Sequence, residues 1–278
     1  MSSPQTTDAA YYLPLGVTAG YEHFTPTQST VSVWTDSMQH GGPPSALLVR
    51  ALEGLTQVPG MSISRVTVDI LGAIGLSQNR TRAIVTRPGR QISQATAELD
   101  VLGPDGRFRT AARATAWLLA STDTAELVTP SEVFGAATED TAGGAPPDWI
   151  AMGWATTGFI SSVDFHRLGA GSSRPNLTWL RSRIHLVEGE TASPLSRFAC
   201  VVDIANGLGS TLSPREWTWM NTDTTIHLHR PPTGEWFGVD AQLVRGERGF
   251  GYTAADLFDQ AGSVGRSSQT VLLTRLPV

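Results

Sequence analysis

The chain contains no lysine; all 20 of its basic residues are arginine. That absence excludes a Walker-type phosphate lysine, a Schiff-base lysine for pyridoxal phosphate and a Ser-x-x-Lys nucleophile. It reads as an arginine-biased coding background. Charge is scarce overall, at 16% of residues against a globular norm of about 25%. The balance is 20 − 25 = −5, a mildly acidic surface without the phosphate-neutralising footprint that nucleic acid requires. Cys200 is the single cysteine, so no intrachain disulfide forms. No apolar run reaches the ~18 residues of a membrane span. The opening MSSPQTTDAA lacks a basic segment followed by an apolar run, so no signal peptide is visible and the cytoplasm is the default location. There is no Gly-x-Ser-x-Gly elbow. The pairs Gly169/Gly171 and Gly207/Gly209 lack the setting of a dinucleotide fingerprint.

What is present falls into two similar stretches. At ~150 residues per domain, 278 residues make about two units or one large one. In the first, Pro43 and Pro44 suit a helix start, and Leu47, Leu48, Ala51, Leu52 and Leu55 then recur at helical spacing. Strand-like runs follow at 63–70, 80–86, 91–102 and 108–119, the last two joined by a Pro104-Asp105-Gly106 turn. The second stretch repeats this order. An apolar helix begins at Leu195 and ends near Asn206-Gly207, and strand-like runs follow at 224–229, 236–244, 251–258 and 265–273. Sliding the chain by 262 − 106 = 156 places Gly106 over Gly262 and Arg113 over Gln269. Order, spacing and turns together predict an internal duplication. The expected fold is α+β: a tandem (double) hotdog, each half a long central helix wrapped by an antiparallel sheet. The expected boundaries are 1–122 and 159–278, with a Gly, Ala, Thr and Pro-rich connector at 123–158.

Particular residues also carry a family resemblance. Asn221-Thr-Asp223-Thr-Thr-Ile-His227-Leu-His229-Arg230-Pro231, followed by Gly234-Glu235-Trp236, resembles the acyl-CoA thioesterase II-like proteins, which are double-hotdog hydrolases. Asp259-Gln-Ala-Gly262 through Gln269 fits as well, and Gly41-Gly42-Pro43-Pro44 matches the family's glycine-rich helix start. The resemblance runs from about Val31 onward and is weakest in the connector. It implies hydrolysis of acyl-CoA to free acid and CoA without a covalent acyl-enzyme, with no cofactor. By motif it makes Asp203, Asn221 and Gln269 the catalytic set. It departs from the best-known bacterial members at Asn221, where they carry a threonine; an amide still holds a water through either end.

Thioester hydrolysis needs an activated water and stabilisation of the carbonyl oxygen as it gains charge. Asp203, on an otherwise apolar helix, is the candidate base. Its bland alternative is a helix cap or an arginine partner. Gln269 reads equally as a solvent-facing strand position, and Asn221, ahead of a strand, as an Asx-turn. No Asp occurs on the first-half helix, so one site per chain is expected, mainly in the second half. Gly41 and Gly42 are expected to bind substrate through main-chain N–H groups, or else to allow close packing. His40 beside them is a substrate-binding candidate or an exposed cap. His227 and His229 share a strand face without a third ligand, so no metal is expected. Trp217 and Trp219 either flank an acyl tunnel or belong to the core. A homo-oligomer joined through sheet edges is expected. Two other functions remain open: a hotdog hydratase or dehydratase, which wants a His–Asp pair not evident in the sequence, and a non-catalytic acyl-CoA binding protein.

Overall fold

The computed structural model describes residues 9–55, 60–134 and 157–277. Most of the expected connector lies outside them; its described part holds a single 3-10 turn at Ala125–Leu127.

Among the described residues, fourteen strands form one sheet. They are β1 (Ala10–Thr18), β2 (Tyr21–Pro26), β3 (Met61–Ile70), β4 (Asn79–Arg87), β5 (Ile92–Leu102), β6 (Phe108–Ala120) and β7 (Val163–Arg167). After these come β8 (Thr178–Ser182), β9 (His185–Val187), β10 (Trp217–Asn221), β11 (Asp223–Leu228), β12 (Phe237–Arg245), β13 (Phe250–Asp259) and β14 (Gly262–Arg275). The hydrogen-bonded order is β7-β8-β12-β13-β14-β11-β3-β6-β5-β4-β2-β1-β9, with β10 pairing β14 outside that path. The eight runs expected from alternation are all strands, each within a few residues of the expected ends. The two halves join at β11 and β3, where Thr225 lies opposite Thr67.

The ends of the sheet also meet. Only Arg183 and Ile184 separate β8, next to one end, from β9 at the other, so Ser182 and His185 are within about 11 Å. The Tyr11 hydroxyl on β1 lies 2.7 Å from Ser162 Oγ and 3.0 Å from Ser182 Oγ, sealing this second seam.

The helices pack on one side of the sheet. Helix α1 (Gly42–Glu53) carries Pro43 and Pro44 in its first turn and lies against β4, β5 and β6. Helix α2 (Pro194–Val202) starts at Ser193, whose side chain accepts the Ser196 N–H at 2.9 Å, and leans on β8 and β12. The two helices touch closely: a Cβ on Gly42 would lie 2.4 Å from the Cys200 carbonyl oxygen. The expected single long second helix is corrected here, because it is interrupted after Val202 and resumes as the one-turn α3 (Ala205–Leu208). Gln269 Nε2 donates to the Asp203 carbonyl at 3.2 Å, so a side chain stands at the carbonyl where an unbroken helix would accept its own N–H.

Constant spacing between the halves also needs correcting. Thr253 lies opposite Gln269, and its counterpart Ala97 lies opposite Ala114, not Arg113. The strand irregularities fall at different places in the two hairpins, between Leu99 and Asp100 and between Leu257 and Phe258, which slips the last strand by one residue. Arg113 points outward and pairs with Glu98 at 2.8 Å. A one-residue slip reverses the face, so the inward counterpart of Gln269 is an alanine.

Candidate active site

Asp203 occupies the break between α2 and α3 and is 1% exposed. Its Oδ1 accepts from Asn221 Nδ2 at 2.8 Å and from the Thr224 hydroxyl at 3.1 Å. Asn221 is the last residue of β10, and its Oδ1 accepts from Asn206 Nδ2 on α3 at 3.3 Å. Both ends of the Asn221 amide are thus held, and its orientation follows from an acceptor-only carboxylate on one side.

Gln269 does not touch the carboxylate. Its Nε2 donates to the Asp203 main-chain oxygen and, at 3.0 Å, to Thr224 Oγ1. The Thr224 proton points at the carboxylate, so only an NH₂ satisfies both neighbours of Gln269, and the amide orientation is determined. Gln269 is 1% exposed, not the solvent-facing position that alternation also allowed. Thr224 is the member that sequence reasoning missed. The available signal was a hydroxyl at an inward position of β11, in step with Ile226.

Asp203 Oδ2 is different. It lies 3.1 Å from His40 Nδ1 but has no donor in good hydrogen-bond geometry. His40 Nδ1 instead accepts the Gly42 N–H at 3.1 Å. The Asp203–His40 approach is therefore a close contact and not a directed hydrogen bond. A His–Asp pair absent from any sequence motif is nevertheless assembled, one member from each half. Burial raises the Asp203 pKa, but the His40 contact and the Asn221 and Thr224 donors outweigh it, leaving the carboxyl below its ordinary range. Cys200, one turn earlier, is pushed up by burial and by Asp203, so its thiol stays protonated.

These groups face a cavity of about 390 Å³. Asp203, Asn221, His40 and Gly41 line it, along with apolar side chains from both halves that include Trp34, Met38, Ile70 and Trp219. Both halves thus line the cavity. Gly42 and Gln269 lie outside the lining. Gly41 has to be glycine for steric reasons: a Cβ there would sit 2.6 Å from Asp203 Oδ2. The Gly42 N–H is occupied by His40, and Pro43 and Pro44 have none, leaving the Gly41 N–H without a partner among the described residues. His227 and His229 are exposed on the far side of the sheet, with His229 Nε2 3.3 Å from Ser263 Oγ. Trp219 is buried and lines the cavity, whereas Trp217 does not.

The two C-terminal motifs are tied together away from the cavity. Arg230 grips both oxygens of the fully buried Asp259, at 2.6 and 2.5 Å, and the Thr233 and Ala261 main-chain N–H groups complete its shell. Burial raises the Asp259 pKa, but Arg230 and these donors prevail and hold it below the usual range.

Comparison with known proteins agrees with this layout. The family described as acyl-CoA thioesterase N-terminal domain matches residues 30–119, and that described as acyl-CoA thioesterase C-terminal domain matches 136–273. No curated protein matches. Among solved structures, a candidate thioesterase II from Thermobifida fusca YX is similar with TM-score 0.69, 16% identity and 96% of each chain covered. The acyl-CoA thioesterase II TesB2 of Mycobacterium marinum has TM-score 0.63 and 14% identity, over 95% of this chain and 96% of its own. A hot dog fold protein of Alicyclobacillus acidocaldarius has TM-score 0.61 and 15% identity, over 94% and 95%. At such identities the structural likeness establishes the fold, which is of the hotdog type.

Proposed function

The chain belongs to the acyl-CoA thioesterase family, and from that premise we propose that it hydrolyses acyl-CoA by direct attack of water held at Asp203, within two tandem hotdog units spanning 1–122 and 159–278. The observation that carries this reading is the asymmetry of the Asp203 carboxylate. Oδ1 is fixed by Asn221 and Thr224, while Oδ2 is buried without a donor on a residue that lines the cavity. A buried acceptor without a partner is the place for an ordered water, and the depressed pKa keeps the carboxylate ionised and able to accept a proton.

In this mechanism a water donates one proton toward Asp203 Oδ2 and attacks the thioester carbonyl carbon. The carbonyl oxygen gains charge and is met by the Gly41 N–H at the α1 N-terminus, where the helix dipole favours an anion. The tetrahedral intermediate collapses by breaking the C–S bond. The proton taken by Asp203 leaves with the CoA thiol, so the base is regenerated and acid and thiol are the products. His40 Nδ1 lies 3.1 Å from Oδ2 and, by accepting the Gly42 N–H, fixes the helix start beside the reacting oxygen. Asn221, Thr224 and Gln269 are positioning residues, the first two at the carboxylate and the last at its main chain.

The test is thiol release from acyl-CoAs of 4 to 16 carbons, run once in ¹⁸O-labelled water under single turnover. The reading expects one labelled oxygen in the released acid and no acyl-enzyme by mass. Ligand binding without any thiol release sinks it in favour of a binding protein.

A further inference from the structure

Two carboxamides run in series from Asp203, and they transmit its polarity. The carboxylate is acceptor-only, so Asn221 presents Nδ2 to it at 2.8 Å and turns Oδ1 the other way. That Oδ1 meets Asn206 Nδ2 at 3.3 Å, and the same Nδ2 donates to the Trp219 carbonyl oxygen at 3.1 Å. A carbonyl takes only a donor, which fixes the Asn206 amide as well. The end of Asn206 left over is its oxygen. No donor among the described residues reaches Oδ1, yet it is not sealed from solvent. Asn206 is 8% exposed and lines the cavity, so Oδ1 is an accessible acceptor in the cavity wall. It stands close to the reacting centre. The backbone stays helical at Asp203 (φ −60°, ψ −20°) and Ile204 (φ −70°, ψ −12°), so Asn206, three residues on, shares a face with Asp203, their Cβ atoms about 5–6 Å apart. Gln39 and Asn221 line the cavity too, but each has both amide ends bonded inside the protein.

We propose that Asn206 Oδ1 is a specificity element that accepts a hydrogen bond from a donor carried by the substrate close to its thioester; this rests on the hydrolytic reading of the same site. Around Asn206 the cavity is lined largely by apolar side chains, among them Met38, Ile70, Ile74 and Trp219. A substrate that fills the cavity takes Oδ1 out of contact with solvent. Where that substrate offers an O–H or N–H, the lost hydrogen bond is replaced. Where it offers only methylenes, the acceptor is left unpaired at the cost of its desolvation. Two groups of an acyl-CoA carry such a proton within about 5 Å of the thioester carbon, at ~1.5 Å per bond. One is a hydroxyl on the third carbon of the acyl chain. The other is the first amide N–H of the pantetheine arm. Both present the same chemistry to Asn206, and they are separable by choice of substrate.

The experiment compares kcat/KM within two pairs of thioesters, each value divided by that thioester's rate of alkaline hydrolysis to remove intrinsic reactivity. The first pair is 3-hydroxyoctanoyl-CoA and octanoyl-CoA. The second is the octanoyl thioester of N-acetylcysteamine and that of the acetate ester of mercaptoethanol, in which an ester oxygen replaces the N–H. In the wild type we expect a preference of at least about fivefold for the donor in one pair, and that pair identifies the group being read. In Asn206→Leu and Asn206→Ala the preference falls below about twofold. A merely structural role lowers both members of a pair alike and leaves their ratio unmoved. A wild-type preference below about fivefold in both pairs overturns the inference without any variant, as does a preference above about twofold that persists in either folded variant. If no thioester releases thiol, the hydrolytic reading fails, and calorimetric affinities for the same pairs then decide the role of Asn206 alone.

Discussion

Replacing Asp203 by asparagine separates charge from shape at the centre of the site. The amide has nearly the same volume, and its oxygen keeps the bonds from Asn221 (2.8 Å) and Thr224 (3.1 Å). What disappears is the acceptor at Oδ2 and the charge that faces His40 at 3.1 Å. A positioned general base contributes about 10²–10⁴ in rate. At ~1.36 kcal/mol per decade that is about 2.7–5.4 kcal/mol of transition-state stabilisation. Stability moves much less. Two charge-assisted bonds become neutral ones, losing about 1 kcal/mol each, while the cost of a buried charge is relieved. The net change expected in a urea midpoint is within about 2 kcal/mol. The assay is chromogenic thiol release at subsaturating and saturating decanoyl-CoA between pH 5 and 9. Because the folded Asp203 pKa is lowered, its carboxylate stays ionised until pH falls below the ordinary value of about 3.9. Asp203 therefore puts no acid limb into the wild-type profile across that window. The reasoning is refuted if folded Asp203→Asn keeps more than about a tenth of the wild-type kcat/KM.

Three further perturbations probe the supports. Gly41→Ala leaves the backbone unstrained, since φ is −63°, yet its Cβ would meet Asp203 Oδ2 at 2.6 Å; we expect kcat/KM to fall about 100-fold and stability by about 1–3 kcal/mol, and near-normal activity would mean Oδ2 is not the reacting oxygen. Thr224→Val removes a donor to Asp203 and an acceptor from Gln269, and a loss of about 1–3 kcal/mol is expected by urea unfolding; an unchanged urea midpoint counts against the network. Arg230→Ala leaves Asp259 buried with only its Thr233 and Ala261 donors, and a loss of about 3 kcal/mol is expected by urea unfolding. The folded pKa of Asp259 is depressed, so in the wild type its contribution is full above the unfolded value near 3.9 and lost as pH falls through the folded value; stability of the variant should accordingly fall less steeply in that acid window.

How far the sequence is legible depends on which contacts are local. The strands β3–β6 and β11–β14 announce themselves by alternation, because one face of each is buried. β1 does not: three buried residues are followed by six exposed ones, so its period is lost. β7, β8 and β9 are too short to show a pattern. In the site, Asp203 is conspicuous as the acid in an apolar helix, and motif likeness supplies Asn221 and Gln269. His40 is invisible as a partner of Asp203, since 163 residues separate them and only the packing of α1 on α2 brings them within 3.1 Å. The broken helix is hidden for a related reason: local pattern favours continuation, and the interruption comes from Gln269, 66 residues downstream.

The meeting of the sheet's two ends bears on the order in which the chain acquires its structure. Hairpins such as β5–β6 and β13–β14 join neighbours in sequence and close small loops. The β1–β9 seam pairs Ala10 with His185, 175 residues apart, for two residue pairs in register. Loop-closure entropy opposes such a contact until the intervening strands are already in place. The ring of strands is therefore completed last at its shortest seam, and until that moment β1 remains an open edge able to pair with another chain.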